Sequence, residues 1–362
     1  MKLALAHDYL IQMGGGERVV AAMHTAYPEA PIYTSAVDRR RLFDAFQNAD
    51  IRTSWMQSLP FITHHTHFKK YFALYPLAFR SMRPAEADIA WISCSTFAKF
   101  LKFPPATRTV CYLHNTTRFL WQTDDYLDYE VTPGTTNSLI RRFLPALREA
   151  DRAATSGMDV LIANSENVRQ RIRRCYSLDA VVINPPVEIQ RFTVSTQDDG
   201  YYLIVSRLLG YKQIDLAIRA FNANGKRLVI VGNGPYLSNL RTIAGKTIEF
   251  AGRLSDDAIT GHYSRCRALI LPGEEDFGIT PVEAMACGKP VIAFGRGGAL
   301  ETVLDAETGL FFHEPSVESL LDAIDRCESS AWNPDAIRQH SLSFSREAFL
   351  EKTRNLLAKT LA

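Results

Sequence analysis

Nowhere in this chain do apolar residues run on for the roughly 20 positions that a membrane-crossing helix needs, so no helical span is expected. Cysteine is scarce. Cys94, Cys111, Cys175, Cys266, Cys287 and Cys327 stand at no spacing typical of a metal site or a redox pair, and they read as buried free thiols in a reducing cytosol. The opening Met1-Lys2-Leu3 runs straight into a strand pattern, with no secretory leader expected before it. Net charge is nearly absent, with 41 Lys+Arg against 39 Asp+Glu, so the strongly basic character of a nucleic-acid binder is missing and no nucleic-acid partner is expected. The excess that exists is uneven, basic up to about residue 195 and acidic beyond it, which suits the first half to an anionic partner. Low-complexity tracts are also missing.

What remains is an alternation of short apolar runs with helical stretches, the pattern of parallel α/β folding. Strands are expected over 2–7, 32–35, 89–93, 109–113, 160–163 and 181–184, then over 201–206, 227–231, 248–251, 268–271 and 291–294. The stretch 185–200 passes from Pro185-Pro186 through small polar residues to Asp199-Gly200 and reads as a linker. The expected architecture is two Rossmann-like domains facing across a cleft, over 1–187 and 188–343, with a last helix over 344–361 packing back on the first.

The densest chemistry lies in residues 273–290. Two glutamates, Glu275 and Glu283, flank the turn from an apolar strand into a helix. Thr280 is expected to cap that helix, with Pro281 as its first residue. Glu283 then closes a capping box with Thr280 or faces a ligand. The carboxyl end of a strand next to a helix start is where open α/β sheets bind ligands, and anions in particular.

Arg207 and Lys212 follow the first strand of the second half. One offers a planar fork for phosphate oxygens and the other a compact point charge. Gly232-Asn233-Gly234-Pro235 follows the next strand. In the first half, Gly14-Gly15-Gly16 precedes a helix from about Glu17 and lets a backbone approach a ligand. His114 ends a strand at the edge of the expected cleft. The acids Asp124, Asp125, Asp128 and Glu130 have no Asp-x-Asp spacing. His64, His65 and His67 lack a carboxylate or thiol partner at helical spacing, so neither group is expected to hold a metal. Residues 61–83 combine many aromatics with Lys69, Lys70, Arg80 and Arg83 and no acid. Most of the aromatics read as core, and the cations suit an anionic membrane surface.

Taken together these motifs resemble retaining GT-B glycosyltransferases of family 4. The resemblance rests on Ser206-Arg207-Leu208 with Lys212, on Gly232-Asn233-Gly234-Pro235, on Phe250-Ala251-Gly252-Arg253-Leu254 and on the Glu275 to Pro290 block. The first half adds His7-Asp8-Tyr9-Leu10, the glycine run, Tyr112-Leu113-His114-Asn115, Ala163-Asn164-Ser165 and Asn184-Pro185-Pro186-Val187. The set is similar to the O-antigen mannosyltransferase subgroup, whose donor is typically GDP-mannose.

The resemblance implies that Arg207 and Lys212 hold the nucleotide diphosphate and that Glu283 takes the ribose hydroxyls. Glu275 would bind the transferred sugar, helped by the amides of Phe277 and Gly278 and with Ile279 alongside. Arg253 and Leu254 would frame the base. Gly15 and Gly16 would face the diphosphate, and His114 would lie beside the sugar. It further implies a metal-independent reaction without a cofactor, a saccharide or polyprenyl-linked saccharide acceptor, and a cytoplasmic protein peripheral to the inner face of the membrane. Asp276 stands where the family has glycine, and Asn115-Thr116-Thr117-Arg118 is a variation expected to alter acceptor contacts.

Two other classes fit parts of the pattern. Gly14 and Gly16 after the first strand, with Asp38 after the second, mimic an NAD-dependent dehydrogenase, although Val19 occupies the third glycine's place. A non-catalytic membrane-surface binding protein would account for residues 61–83 but not for Arg207, Lys212 and the two glutamates.

Overall fold

A computed structural model describes residues 1–64, 67–122 and 136–361. The acidic run at 124–130 and His65 lie outside the described residues, as does the side chain of Lys69. The described chain forms two units. The first is built on a seven-stranded sheet: β1 (Leu3–His7), β2 (Ile32–Thr34), β3 (Ile51–Thr53), β4 (Ile89–Cys94), β5 (Arg108–Leu113), β6 (Val160–Ala163) and β7 (Val181–Val182). The second, Val187–Arg346, holds six strands: β8 (Tyr201–Val205), β9 (Arg227–Val231), β10 (Ile248–Gly252), β11 (Leu269–Leu271), β12 (Val291–Phe294) and β13 (Gly309–Phe312). This is the α/β fold of two Rossmann-like sheets that the alternating pattern predicts.

Both sheets are parallel throughout, in the orders β3-β2-β1-β4-β5-β6-β7 and β10-β9-β8-β11-β12-β13. Central strands β1, β4 and β12 are buried along their whole length because helices cover both faces, which is why they read as unbroken apolar runs. Each sheet has its own pair of hydrophobic clusters, one on each face. The strand order reverses between β1 and β4 in the first sheet and between β8 and β11 in the second. Ligands of open α/β sheets bind outside the carboxyl ends at such points.

Strands β3 and β13 go beyond the expected set. β3 is three residues with half-exposed side chains, too short and too polar to carry a period. β13 begins at Gly309, where a side chain would run into the Val291 carbonyl 2.1 Å from its Cβ, so the strand needs a residue that reads as a turn former. The boundary between the units falls between Pro186 and Val187, within the stretch 185–200, whose later residues pack into the second unit. Val187, Ile189 and Phe192 are buried in the core of the second unit, and Val187 pairs with Ser345 at the point where the chain comes back. From Glu347 on, the last helix, Arg346–Leu361, belongs to the first unit. Its Phe349 sits edge-on to Trp91 and Tyr112, and Leu357 is buried. Five of the six cysteines are buried, Cys175 is half-buried, and all are free thiols.

Candidate functional site

In the second unit Arg207 and Lys212 follow β8 and the Glu275 block follows the neighbouring β11, whereas Arg253 and Leu254 follow β10 at the edge of the sheet. Beyond β8 the chain makes the turn Gly210–Lys212 before the helix Ile214–Asn224. The glycine turn after β9 packs directly on the first part of this loop. A Cβ on Gly232 would lie 1.9 Å from the Ser206 carbonyl oxygen, and one on Gly234 would lie 2.2 Å from that of Leu208. The two glycines therefore allow backbone to stack on backbone and hold the Arg207 loop in place. Gly273 does the same after β11, where a Cβ would meet the Lys212 backbone oxygen at 2.7 Å.

The consequence is that Lys212 and Glu275 meet. Lys212 Nζ makes an ion pair with Glu275 Oε1, with the side chains 11% and 21% exposed. The Lys212 ammonium also lies 4.8 Å from the centre of the Tyr211 ring. The main chain at Glu275 is fixed independently, since it pairs with Gly297 and its carbonyl accepts from Gly298 N–H at 2.8 Å. A Cβ on Gly298 would collide with the Phe277 backbone at 2.3 Å, so this loop is clamped on both sides. Arg207 and Arg253 are exposed, while Leu254 and Ile279 pack partly against the core of the unit. Phe277 is a core side chain against Phe344, so only its backbone is offered to a ligand.

The helix of the glutamate block differs from expectation. It runs Ile279–Ala286 and its N-cap is Gly278, with φ 88°, a left-handed conformation that favours glycine. Pro281 lies within the first turn, where its missing N–H costs no helical hydrogen bond. Glu283 does not close a capping box on Thr280. Its Oε2 accepts from the Tyr263 hydroxyl at 2.7 Å, a contact from another helix that no local pattern announces.

In the first unit the glycine run starts its helix earlier than expected, at Gly15, with Gly14 as N-cap. Glu17 bends back so that its Oε2 accepts from Gly14 N–H at 3.1 Å, and it is almost fully buried. A carboxylate thus holds the first amide of this helix start. Gly15 and Gly16 stand beside the Glu17 carboxylate, which faces His7, whose Nε2 is 3.7 Å from Glu17 Oε1. Gly16 lies directly against the rings of His7 and His114. The NAD-like reading of this region finds no support in Asp38. That side chain accepts from the Arg40 backbone and guanidinium at 3.2 Å and caps the turn Arg39–Arg41.

Asp8 is a residue whose part the sequence did not show. Its carboxylate accepts from the backbone N–H groups of Ser95 (2.6 Å), Thr96 (3.0 Å), Phe97 (2.7 Å) and Ala98 (2.7 Å). Four such bonds tie the loop after β4 to the end of β1 at the strand reversal. His114 follows β5 and is partly buried, and its carbonyl accepts from Asn164 Nδ2 at 2.9 Å. Asn115, Thr116 and Thr117, the variation after His114, are buried. Asn115 accepts from Arg171 at 2.7 Å, and Thr117 belongs to a buried polar cluster around Lys99 and Asp151. Residues 61–83 divide as chemistry demands. Phe68, Tyr75 and Phe79 are core, whereas Phe61 and Leu77 are 70% and 57% exposed beside exposed Lys70, Arg80 and Arg83. Among the described residues no group of His, Cys, Asp and Glu is placed to hold a metal ion, and no helix is long and apolar enough to cross a membrane.

Residues 187–342 match the family described as "Glycosyl transferases group 1". The chain is 29% identical over 213 residues to the GDP-mannose-dependent alpha-(1-6)-phosphatidylinositol monomannoside mannosyltransferase of Mycolicibacterium smegmatis, covering 50% of this chain and 56% of that enzyme. It is 30% identical over 176 residues to an alpha-1,3/1,6-mannosyltransferase of Dictyostelium discoideum, covering 40% and 41% of the two chains. The chain thus spans about half the length of these curated relatives. Among solved structures, Anabaena HepE in complex with UDP and glucose superposes with a TM-score of 0.72 at 18% identity, covering 99% of both chains. Sucrose-phosphate synthase of Thermosynechococcus elongatus gives 0.74 at 16%, again over 99% of both. The two parallel Rossmann-like sheets have the GT-B fold of those solved structures, and within it residues 187–342 are similar to the group 1 glycosyltransferases.

Proposed function

We propose that the protein is a retaining hexosyltransferase that moves mannose from GDP-mannose to a glycan or lipid-linked saccharide at a membrane surface, as in the O-antigen mannosyltransferase subgroup. The observation that carries this reading is the meeting of Lys212 with Glu275 at the strand reversal of the unit similar to the group 1 glycosyltransferases. A cation and a carboxylate in contact can part around a sugar diphosphate, the ammonium taking phosphate oxygens and the carboxylate the sugar hydroxyls. Arg207 adds a second cation for the diphosphate, and the amides around Gly278 lie at the start of the helix. Glu283, oriented by Tyr263, takes the ribose, with Arg253 and Leu254 near the base. The named activities of the mannosyltransferase relatives favour GDP-mannose.

In the proposed reaction the bond between the anomeric carbon and the diphosphate breaks while the acceptor hydroxyl bonds to that carbon on the same face. The acceptor's proton passes to the departing phosphate oxygen, so no enzyme nucleophile and no metal are needed. Negative charge grows on the leaving diphosphate, and Arg207 and Lys212 stabilise it there. For the first unit the reading adds Gly15, Gly16 and His114 as residues that take part in transfer.

A thermal-shift panel of GDP, UDP, ADP and NAD tests the donor. GDP at 100 times its dissociation constant is expected to stabilise by about 2.7 kcal/mol, a rise of roughly 5–11 °C for a unit of this size. The transfer product formed from GDP-mannose should keep the donor's anomeric configuration by NMR, with turnover unaffected by EDTA. Stabilisation by NAD alone, or an inverted product, would sink the reading. The membrane part rests on exposed Phe61 and Leu77 beside three exposed cations. Each basic side chain near an anionic surface contributes about 1 kcal/mol. The triple charge reversal K70E/R80E/R83E is therefore expected to weaken sedimentation with phosphatidylglycerol vesicles at least about tenfold. Unchanged sedimentation would remove the membrane from the proposal.

A further inference from the structure

At the strand reversal of the first sheet one buried hydroxyl joins two histidines. His7 ends β1, Ser93 lies near the end of the neighbouring β4, and His114 follows β5. Ser93 Oγ is 3.0 Å from His7 Nδ1 and 2.7 Å from His114 Nε2. His7 Nδ1 is also 3.2 Å from the Ser93 carbonyl oxygen. A carbonyl oxygen only accepts, so His7 Nδ1 carries a proton. The other His7 nitrogen faces the Glu17 carboxylate at 3.7 Å, which favours a proton there as well. Burial works against that charge, but Glu17 and then Asp8 more than offset it and raise the His7 pKa.

The direction of the chain of hydrogen bonds follows. Ser93 is fully buried, and among the described residues its hydroxyl has two partners, His7 and His114. Because His7 donates, the hydroxyl proton can be accepted by His114 Nε2 alone of the two. A proton on His114 Nε2 would leave the hydroxyl proton buried with no acceptor, a state that folded proteins avoid. Tyr9 and Tyr112, whose rings meet His7 and His114 edge-on, and the Gly16 backbone are among the groups packed around this pair.

We propose that Ser93 and His7 are positioning residues that hold His114 neutral, with its ring proton on Nδ1. The inference deepens the sugar-transfer reading and rests on it for its purpose. A neutral ring with an N–H can donate to a sugar oxygen without opposing the positive charge that develops on the ring carbon during transfer.

Labelled-histidine NMR of the free protein decides the matter without reference to activity. His114 is expected to show an unprotonated Nε2 in the wild type, and S93A and H7Q are expected to move the proton toward Nε2. In transfer assays S93A should lower kcat roughly tenfold, the worth of about one hydrogen bond, with KM for the nucleotide sugar within about twofold, and S93T should restore much of the rate. A wild-type His114 protonated on Nε2 overturns the proposal, as does a tautomer unchanged in both variants. If neither variant folds, the wild-type spectrum alone decides between these outcomes. The expected tautomer in a protein that transfers no sugar would uphold the hydrogen-bond chain and defeat the sugar-transfer reading instead.

Discussion

Glu275→Ala is expected to reduce sugar transfer by about 100- to 1,000-fold, the range seen when one group that stabilises a transition state is removed. The fold should survive, because the main chain at Glu275 is held by its pairing with Gly297 and the bond from Gly298, neither of which needs the side chain. Lys212→Ala should act through the diphosphate. A hydrogen bond to a charged group is worth about 1.5–3 kcal/mol, so nucleotide affinity should fall roughly 10- to 150-fold alongside the loss of rate. The two variants are also expected to depend on each other. Each removes half of an ion pair, so the free protein should lose no more stability in the double variant than the sum of the singles. Wild-type-like turnover in either single variant, with circular dichroism unchanged, would remove these residues from the site.

Asp151→Ala is expected to destabilise the first unit by about 3–5 kcal/mol, a fall in Tm of roughly 6–20 °C for a domain of this size. Lys99 and Asp151 are 0% and 1% exposed and 2.8 Å apart. The Asp151 carboxylate also accepts from Thr117 (2.8 Å), Tyr176 (2.7 Å) and Trp121 (2.8 Å). Removing it strands a buried ammonium and three donors at once. Asp151→Asn keeps one acceptor oxygen and should cost less, so the difference between the two variants separates lost hydrogen bonds from the stranded charge. Burial opposes the charge on Lys99, but Asp151 together with Tyr176 and Cys94 outweighs it and raises its pKa well above the ordinary lysine value. A raised pKa stabilises below the unfolded value and is lost as pH climbs through the folded one. On the lysine side the pair should therefore hold across the neutral range and be lost only as the pH becomes strongly alkaline. A Tm within 2 °C of wild type for Asp151→Ala would mean that the pair is not buried as described.

Much of this site is legible in the residues alone. The spacing of Glu275 and Glu283 around a strand-to-helix turn, and the cations after the opening strand of the second half, are local facts, and they fall where the strand ends are. The departures are also local. Thr-Pro is a strong helix-start pattern and points to Thr280, but Gly278 can take the left-handed conformation that turns the chain into the helix sooner. Glu283 reads as a capping residue because its distant partner, Tyr263, has no mark in the sequence. Gly232 and Gly234 read as an ordinary glycine turn, and only the structure shows that the space they leave is filled by the backbone of Ser206 and Leu208.

By itself the sequence determined that there would be two parallel sheets, which runs would be buried, and which charged residues would stand at strand ends, because these follow from periodicity and turn chemistry within a few residues. Only the tertiary structure decided which strand ends become neighbours. β4 lies beside β1, and that placement brings Asp8 to the amide of Ala98, 90 positions on, and His7 to Ser93, 86 positions on. The contact of Lys212 with Glu275 likewise depends on β11 lying beside β8. Such contacts depend on strand order, which is set by how whole faces bury against one another, and no local pattern carries that information.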